Sequence, residues 1–392
     1  MATPANCVRN LCQTDYSSRT FRRFVPLPFD LKALCERYDA QSRPTYLTLY
    51  ADLSDPGHLE VLHRRQRDIS ASLATAEQRA ELDASMVRAT AAYHKAKATP
   101  GAKSIAVFSG PNGFVEGYGL HAPIKTRLVL DSSPYVMPLA RFVDDNEPFV
   151  LVLMDSERAA IFVVWAGKDD LRHQLKTSLI GRHKHGGMSQ MRYQRHRKGQ
   201  VNTFYDYVAE HLTKIMKEEE VARIVVAGPG TAKGDFVKRL PQALGAQVLA
   251  IEDADFKAAG PADDALVRRF VSLMRDEEAK RDLHWVDVLR RELQTGGLAA
   301  TGPLECARHA AGGRVARLIV LRGSTSPGSK CEEHQEVFPR GHKCHCGAAG
   351  GDVDLVNEAV EFTVRSDGEW EFVEPPEPFL SGAGGVGAIL RW

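Results

Sequence analysis

The chain has 392 residues, which at roughly 100–200 residues per domain predicts two or three domains. Hydrophobic residues make up 43% and charged residues 26%, which excludes a mainly disordered chain, a collagen-like chain and a small disulfide scaffold. Lys and Arg number 51 and Asp and Glu 50, so the net charge is +1. This excludes a globally basic protein that coats nucleic acid, but it leaves room for a local basic patch.

Membrane and secretion signals are missing from the sequence pattern. No apolar run reaches the ~18–20 residues that span a bilayer, and the N-terminus lacks the apolar core of a secretory signal. There are seven cysteines, an odd number, and three of them lie between 331 and 346. This usage suits a reducing compartment and a metal site better than disulfides. We therefore expect a cytoplasmic monomer that does not bind membranes.

The hydrophobic pattern predicts a mixed α+β (α/β) fold in three domains. The predicted domains are an N-terminal α/β domain at 1–145, a central covered-sheet domain at 146–275 and a C-terminal domain at 276–392. The strands predicted in the first domain are 44–53, 103–110 and 126–131, with one or two helices between Pro56 and Pro100. In the central domain we predict a hairpin at 149–155 and 159–167, a polar, basic segment at 168–200, and strands at 221–230 and 247–251. Between the basic segment and these strands lies a predicted helix with Val201, Phe204, Val208, Leu212 and Ile215 on one face.

The C-terminal domain follows a charged helical stretch that starts near 264. Its predicted elements are a helix near 303–311, a strand at 315–321, a Cys/His-rich insert near 322–351, a helix at 352–360, strand-like residues at 359–364 and 370–373, and a strand at 386–392.

The most informative segment is Gly181–Lys198, which holds six Lys or Arg, three His and no acid. The paired glycines Gly186 and Gly187 permit positive φ and a close backbone approach to a ligand. Arg192 and Arg195, with either His196 or Lys198, share one face of the helix that follows. Such a stripe suits a phosphate backbone. A solvated basic loop without a partner is the alternative interpretation.

This segment resembles the central-domain loop of the archaeal and eukaryotic class I peptide-chain release factors. In that family a Gly-Gly-Gln precedes Ser, an Arg-aromatic pair and further arginines on a helix, and HKHGGMSQMRYQRHR is similar to it. GPGTAKGDF (228–236), GGLAATGPLECARHA (296–310) and GGVGAILRW (384–392) extend the resemblance. It covers about 145–392 well and the first domain only in outline, and identifies a bacterial or archaeal homologue.

The resemblance implies a decoding-type first domain, a ribosomal L30-like third domain, and a loop that enters the ribosomal peptidyl-transferase centre. There the loop would position a water that hydrolyses the ester of peptidyl-tRNA. A translational GTPase is a further candidate partner. The residues implied in the chemistry are Gly186, Gly187, Met188 and Gln190. Those implied in RNA binding are Arg182, Lys184, Arg192, Arg195, Arg197 and Lys198.

Two departures from the family pattern bear on the function. Met188 stands at the position of the family's Gln, and a thioether cannot donate a hydrogen bond. Either Gln190 takes that role, or only the backbone N–H at 188 acts, or hydrolysis is lost. The first domain also lacks the Asn-Ile-Lys-Ser and Tyr-x-Cys motifs that read stop codons. This favours rescue of stalled ribosomes over termination, with a non-hydrolytic, pelota-like binding factor as the alternative.

A Cys/His pattern in the insert predicts a structural zinc site. Cys331 and His334 are followed, after nine intervening residues, by Cys344 and Cys346. Thiolate and imidazole ligands at these spacings can close a tetrahedron around zinc, and His342 or His345 can substitute for one ligand. Since the insert is poor in apolar residues, the metal would supply folding energy. The alternative is a polar loop with free thiols. The family resemblance favours the metal site, because some archaeal members carry a cysteine-ligated zinc in the corresponding segment.

Other function classes find less support. The turn Gly228–Gly234 lacks the spacing of a phosphate-binding loop, so we interpret it as a structural strand-to-helix turn. A ribosome-independent nuclease or hydrolase is disfavoured because no paired carboxylates or activated Ser or Cys stand at convincing spacing.

Overall fold

The computed structural model describes residues 28–165, 168–176, 188–219, 221–255 and 264–392, with the backbone alone for 168–176, 188–194 and 264–268. The described helices are α1 (Leu31–Cys35), α2 (His58–Ser72), α3 (Ala76–Lys97), α4 (Met137–Asp145), α5 (Met188–Glu218), α6 (Ala232–Val237), α7 (Gln242–Gly245), α8 (Asp264–Thr295), α9 (Pro303–Ala311), α10 (Leu355–Arg365) and α11 (Pro378–Gly382).

The described strands are β1 (Tyr46–Asp52), β2 (Ser104–Ser109), β3 (Val115–Leu120), β4 (Arg127–Asp131), β5 (Phe149–Met154), β6 (Arg158–Trp165), β7 (Lys168–Lys176), β8 (Ile224–Ala227), β9 (Val248–Glu252), β10 (Ala299–Thr301), β11 (Val315–Leu321), β12 (Pro327–Cys331), β13 (Glu336–Phe338), β14 (Gly351–Asp354), β15 (Glu369–Val373) and β16 (Val386–Leu390). The mixed α/β fold class is thereby confirmed. None of the described helices is both long and apolar enough to cross a membrane.

The described residues form two compact units. One consists of Pro148–Phe270, and the other combines Pro26–Glu147 with Val271–Trp392. The predicted first and third domains therefore contribute to a single unit, and the chain passes from one unit to the other within α8. The three-domain division at 145 and 275 stays a prediction.

In the larger unit, the N-terminal part is an antiparallel sheet in the order β3-β2-β1-β4. Helices α2 and α3 cover one face with an apolar cluster that includes Leu62 and Leu82. The helices are separate because Thr75 starts α3 with a capping box, in which its hydroxyl accepts from the N–H of Gln78 at 3.2 Å. On the other face, Thr48 Oγ1 accepts from the N–H of Tyr135 at 3.0 Å. Both faces are thus covered, so β1 is buried almost throughout.

The C-terminal part has two sheets, in the orders β10-β16-β11-β15 and β13-β12-β14. Helix α9 and strand β11 lie at the predicted positions, which confirms both. The strand-like assignment of 359–364 was wrong, because these residues belong to α10. Every residue from Leu355 to Val364 is buried, and a helix enclosed on all sides loses the polar face that reveals helical periodicity.

A buried ion cluster joins the two parts of this unit. Lys330 Nζ lies 2.7 Å from Glu358 Oε2, 3.0 Å from Glu332 Oε2 and 3.7 Å from Glu361 Oε1, and none of the four side chains is exposed. Burial alone lowers the pKa of Lys330, but the three carboxylates outweigh it and the net shift is upward. The same carboxylates reach the N-terminal part, since the hydroxyl of Ser132 donates to Glu332 at 2.6 Å.

A second polar contact links α4 to β15. The N–H of Phe372 donates to Asp144 Oδ2 at 3.0 Å, and the indole N–H of Trp370 donates to the carbonyl of Ala140 at 3.1 Å. Nearby on α8, burial and then the charge of Asp282 raise the pKa of Glu278 to about 9. Burial and the neighbouring acids thus favour the protonated form of Glu278.

Lys330→Met should destabilise the larger unit strongly, because it leaves three buried carboxylates without their central cation. Breaking a buried ion pair by removing one partner costs about 3–5 kcal/mol. The matched control is Lys32→Met, which removes a half-exposed ion pair with Asp367 at 2.9 Å and should cost about 0–1 kcal/mol. Urea denaturation followed by tryptophan fluorescence measures both, and equal small shifts of the midpoint would contradict the assignment.

Candidate functional site

The smaller unit carries the segment that resembles the release-factor loop. Its sheet has the order β7-β6-β5-β8-β9, in which β5 and β6 form the predicted antiparallel hairpin and β8 runs parallel to β5. Helix α5 packs against this sheet through Phe204, Val208 and Leu212, as its apolar spacing predicted. The long helix is therefore fixed along its C-terminal half by the core of the unit.

The start of α5 lies next to the predicted catalytic residues. Met188 is the first residue of the helix and Gln190 lies in its first turn, while Gly186 and Gly187 lie outside the described residues. The first four N–H groups of an α-helix have no acceptor within the helix, and the positive end of the helix dipole lies there. The backbone at 188 thus has an N–H that no intrahelical bond uses, which keeps the backbone-donor alternative open.

The basic residues predicted to bind RNA fall into three groups. Arg195 and Lys198 are exposed on α5. Arg197 is only 27% exposed, and its guanidinium donates to Glu157 Oε1 at 3.2 Å in the turn between β5 and β6. That ion pair gives Arg197 a structural role in anchoring the helix. Of the remaining predicted residues, Arg192 lies on α5 with its side chain outside the described part, and Arg182 and Lys184 lie outside it altogether.

The turn after β8 supports the structural interpretation made from the sequence. A Cβ on Gly228 would lie 1.8 Å from the carbonyl oxygen of Met154, so only glycine allows this approach of the two strands. Lys233 turns back to donate to the carbonyl of Gly230 and to Asp253 Oδ1, both at 2.6 Å. The lysine that a phosphate-binding loop would need is therefore engaged by Gly230 in the turn and by Asp253 after β9.

The larger unit brings together all four predicted zinc ligands. Cys331 ends β12, His334 lies in the turn that follows, and Cys344 and Cys346 lie in the loop before β14. Their donor atoms all fall within 4.8 Å of one another. Cys331 and Cys344 are buried, whereas His334 and Cys346 are exposed, so the cluster opens to the surface on one side.

The separations fit a tetrahedral ion. Zinc bonds of about 2.3 Å to sulfur and about 2.0–2.1 Å to nitrogen imply S···S near 3.8 Å and S···N near 3.6 Å. Cys331 Sγ lies 3.9 Å from Cys346 Sγ and 3.5 Å from His334 Nδ1, and Cys344 Sγ lies 3.7 Å from the same nitrogen. A hydrogen bond from the backbone N–H of Ala348 lowers the pKa of the Cys346 thiol, which favours the thiolate that a metal binds.

Glu336 is a polar neighbour that sequence reasoning missed. Its Oε2 lies 2.9 Å from Cys344 Sγ and 2.7 Å from His345 Nδ1. Hydrogen bonds from Cys344 and then from His345 lower the pKa of Glu336 to about 2. His345 thus faces Glu336, and His334 is the imidazole that completes the cluster of four. In the sequence, the only trace of this contact is a Glu and a His nine residues apart, Glu336 and His345. That spacing alone does not indicate an interaction.

Comparison with known proteins places this geometry in a family context. Residues 134–269, which include β5–β9 and α5, match the family described as bacterial archaeo-eukaryotic release factor family 10. The chain is 24% identical over 301 residues to peptide chain release factor subunit 1 of Pyrococcus abyssi, covering 69% of this chain and 72% of that protein. The chain is a relative of the archaeal and eukaryotic-type class I release factors.

One more release factor and two solved structures are also similar to parts of the chain. Peptide chain release factor subunit 1 of Methanopyrus kandleri is 27% identical over 179 residues, or 44% of this chain and 42% of that protein. Among solved structures, an archaeal translation termination factor is matched over 92% of this chain and 96% of that chain, with 18% identity and a TM-score of 0.27. A model of ribosome-bound archaeal Pelota and ABCE1 is matched over 72% and 73%, with 20% identity and a TM-score of 0.42.

Proposed function

We propose that this release-factor relative acts on the ribosome in the cytoplasm, in the rescue of stalled translation. One observation carries the proposal: Gly186-Gly187 directly precedes the start of α5 at Met188, and Arg195 and Lys198 project from the same helix. The proposed partners are the peptidyl-transferase centre of the large subunit and peptidyl-tRNA. Rescue is favoured over termination because the motifs that read stop codons in the family are missing from the first domain.

The proposed reaction is hydrolysis of the ester that joins the peptide to tRNA. Water attacks the ester carbonyl, the bond between the acyl carbon and the ribose oxygen breaks, and the water proton is transferred to that oxygen. The chain's part is to hold the water and the developing negative charge with donors that stay in place. The amide N–H groups at the start of α5 suit this task, because they have no acceptor within the helix.

A non-hydrolytic ribosome-binding factor is the second candidate, and Met188 is the observation that favours it. The thioether cannot replace the amide N–H₂ of glutamine as a donor. The two candidates share the ribosomal partner and differ in the chemistry. For both candidate functions, a translational GTPase that binds the third domain is a proposed partner.

Single-turnover release of peptide from stalled ribosomes and from isolated large subunits tests the proposal. Wild type should release peptide at equal rates with stop and sense codons in the decoding site. A clear preference for stop codons would contradict rescue in favour of termination. Release by Met188→Gln with none by wild type would establish the non-hydrolytic candidate.

The same assay separates the possible donors. Gly187→Val should abolish release, because a β-branched residue resists the positive φ that glycine permits, and losing one donor costs on the order of 10²–10³ in rate. Gln190→Ala should change little if the backbone at 188 is the donor. A loss as large as that of Gly187→Val would instead assign the amide role to Gln190.

Ribosome affinity should depend on the exposed arginine and lysine of α5. Arg195→Ala combined with Lys198→Ala should weaken binding and flatten its salt dependence, because fewer phosphate counterions are released. Glu157→Ala is the control, since it removes the anchor of Arg197 without removing a cation. Sedimentation with ribosomes at several salt concentrations measures both, and binding of the double variant at the wild-type level would exclude this face as the contact.

We also propose that Cys331, His334, Cys344 and Cys346 bind one structural zinc. The donor set supports this, since four protein ligands complete the tetrahedron and leave no open position for catalysis. When bound, the ion supplies folding energy to the insert. The residues on each side of Cys331 belong to the buried ion cluster, and the N–H of Glu332 donates to Ser42 Oγ at 3.0 Å.

Elemental analysis of never-chelated protein should find about one zinc per chain. Cys344→Ser should lose it, whereas the control His342→Ala, in the same insert but outside the cluster, should keep it. Removing the metal should also speed hydrogen exchange at 39–46 and 131–135, because Glu332 binds both segments. Wild-type protein purified without zinc would contradict the metal site. An unchanged hydrogen-exchange pattern after chelation would contradict the expected effect on 39–46 and 131–135.

A further inference from the structure

The Cys/His cluster has one sulfur atom at the surface and two that are shielded from solvent. Cys331 and Cys344 are buried, at 2% and 3% exposure, and pack with Phe338 in a small apolar cluster. Cys346 is exposed, and so are all residues of the surrounding segment 345–349. A reagent dissolved in water therefore reaches the sulfur of Cys346 first.

Cys346 has a second sulfur within reach. Its Sγ lies 3.9 Å from Cys331 Sγ. A disulfide bond is about 2.0 Å long, so the two atoms would have to approach by roughly 1.9 Å. Cys346 lies in a turn outside any helix or strand, and a Cβ on the next residue, Gly347, would meet no atom within 4 Å. Cys331 is fixed in β12, where it pairs with Glu336 of β13, so the exposed sulfur is the one that can move.

The proposed zinc ion keeps this pair of sulfurs close together and reactive. In a tetrahedral site two thiolates lie about 3.8 Å apart, which matches the distance between Cys331 and Cys346. Because all four ligands are protein groups, an oxidant finds no open position on the metal and attacks a sulfur instead. The thiolate is the form that peroxides oxidise, and metal binding holds Cys346 in that form.

We infer that Cys346 is a redox-sensitive site, at which hydrogen peroxide forms a disulfide with Cys331 and releases the zinc. The Cys346 thiolate attacks one peroxide oxygen, the O–O bond breaks, and hydroxide leaves a sulfenic acid on Cys346. The Cys331 thiolate then attacks that sulfur, the S–O bond breaks, and a second hydroxide leaves. Two thiolates together lose two electrons, and the peroxide gains them. Only Cys344 and His334 remain as ligands, too few for a structural zinc site.

The disulfide would also act on the contact with the N-terminal part. The residue after Cys331 makes that contact, since the N–H of Glu332 donates to Ser42 Oγ at 3.0 Å. The loop that carries Cys346 returns to the same place, where a Cβ on Gly351 would lie 2.8 Å from the carbonyl oxygen of Ser42. Movement of Cys346 and loss of the metal would therefore displace backbone that contacts Ser42 from two directions.

Treatment of the full, never-chelated chain with hydrogen peroxide tests the inference. A chromogenic chelator measures the zinc released, and peptide mapping of all seven cysteines locates the disulfide. Each disulfide between Cys331 and Cys346 should release about one zinc, and dithiothreitol with added zinc should reverse both changes. A disulfide between Cys344 and Cys346, or zinc loss without a disulfide between Cys331 and Cys346, would overturn the inference.

Two variants identify the reactive sulfur. Cys346→His replaces the exposed thiolate by an imidazole, which zinc also binds, so this variant should keep its zinc in peroxide. Cys306→Ala is the matched control, because it removes a buried cysteine outside the cluster and should release zinc as wild type does. Zinc loss from Cys346→His at the wild-type rate would contradict the role of Cys346. Should this variant bind no zinc, the position of the disulfide in wild type still decides.

Hydrogen exchange tests the effect on the N-terminal part. Peroxide should speed exchange at 39–46 in wild type, because the contacts of Ser42 are displaced, and should leave it unchanged in Cys346→His. An equal change in both proteins would show that peroxide acts on this segment through another residue, and the coupling to Cys346 would be wrong.

The zinc site and the disulfide can fail separately. The release of zinc rests on the proposed zinc site, whereas the disulfide rests on the positions of the two sulfurs. If purified wild type contains no zinc but peroxide joins Cys331 to Cys346, the metal proposal fails and the redox-sensitive site stands. If wild type contains zinc and peroxide forms no such disulfide, the redox-sensitive site fails and the metal proposal stands.

Discussion

The attachment of the N-terminal to the C-terminal part of the larger unit depends on one buried cation, Lys330. A lysine with no exposed side chain is costly, and only the surrounding carboxylates of Glu332, Glu358 and Glu361 keep it charged. The same carboxylates accept hydrogen bonds from Ser132 and Ser133, which follow β4 directly. The charge of Lys330 in β12 therefore determines whether Ser132 and Ser133, which lie far away in the sequence, can stay buried against this cluster.

The position of this lysine ties the ion cluster to the Cys/His cluster. Lys330 and Glu332 flank Cys331, so one short stretch of backbone carries both the interface and a candidate metal ligand. Alternate residues of a strand point to opposite sides, which lets Cys331 face the insert while its neighbours face the interface. A displacement of Cys331 would therefore also displace Lys330 and Glu332, because the three residues are consecutive in the chain.

Local pattern was enough to predict elements whose partners are near in sequence. The β5–β6 hairpin, α9 and β11 lie where apolar runs and helical spacing predicted them. The four Cys and His residues selected by their spacing have donor atoms within 4.8 Å of one another. The prediction of secondary structure was wrong in part of α10, because complete burial removes the alternation of apolar and polar residues that marks a helix. Short polar strands such as β13 were not predicted, because they depend on pairing with another strand, here β12. The Lys330 cluster was also missed, because its charged members lie up to 31 residues apart and its contact with Ser132 joins residues 200 apart in the chain.

If the proposed hydrolysis takes place, the backbone at the start of α5 is what makes it compatible with a methionine at the family's glutamine position. Backbone N–H groups at a helix N-terminus belong to the peptide, so their number and direction do not depend on the side chain at 188. A glutamine would add a second, mobile donor, the amide of its side chain. With a methionine, only the fixed backbone N–H can donate. The C-terminal half of α5 is packed into the core and Arg197 donates to Glu157, so both contacts fix the helix downstream of residue 188. In the proposed hydrolysis, the replacement would therefore remove the mobile donor and leave the rigid one, which is the kind of donor that electrostatic stabilisation of a transition state uses most effectively.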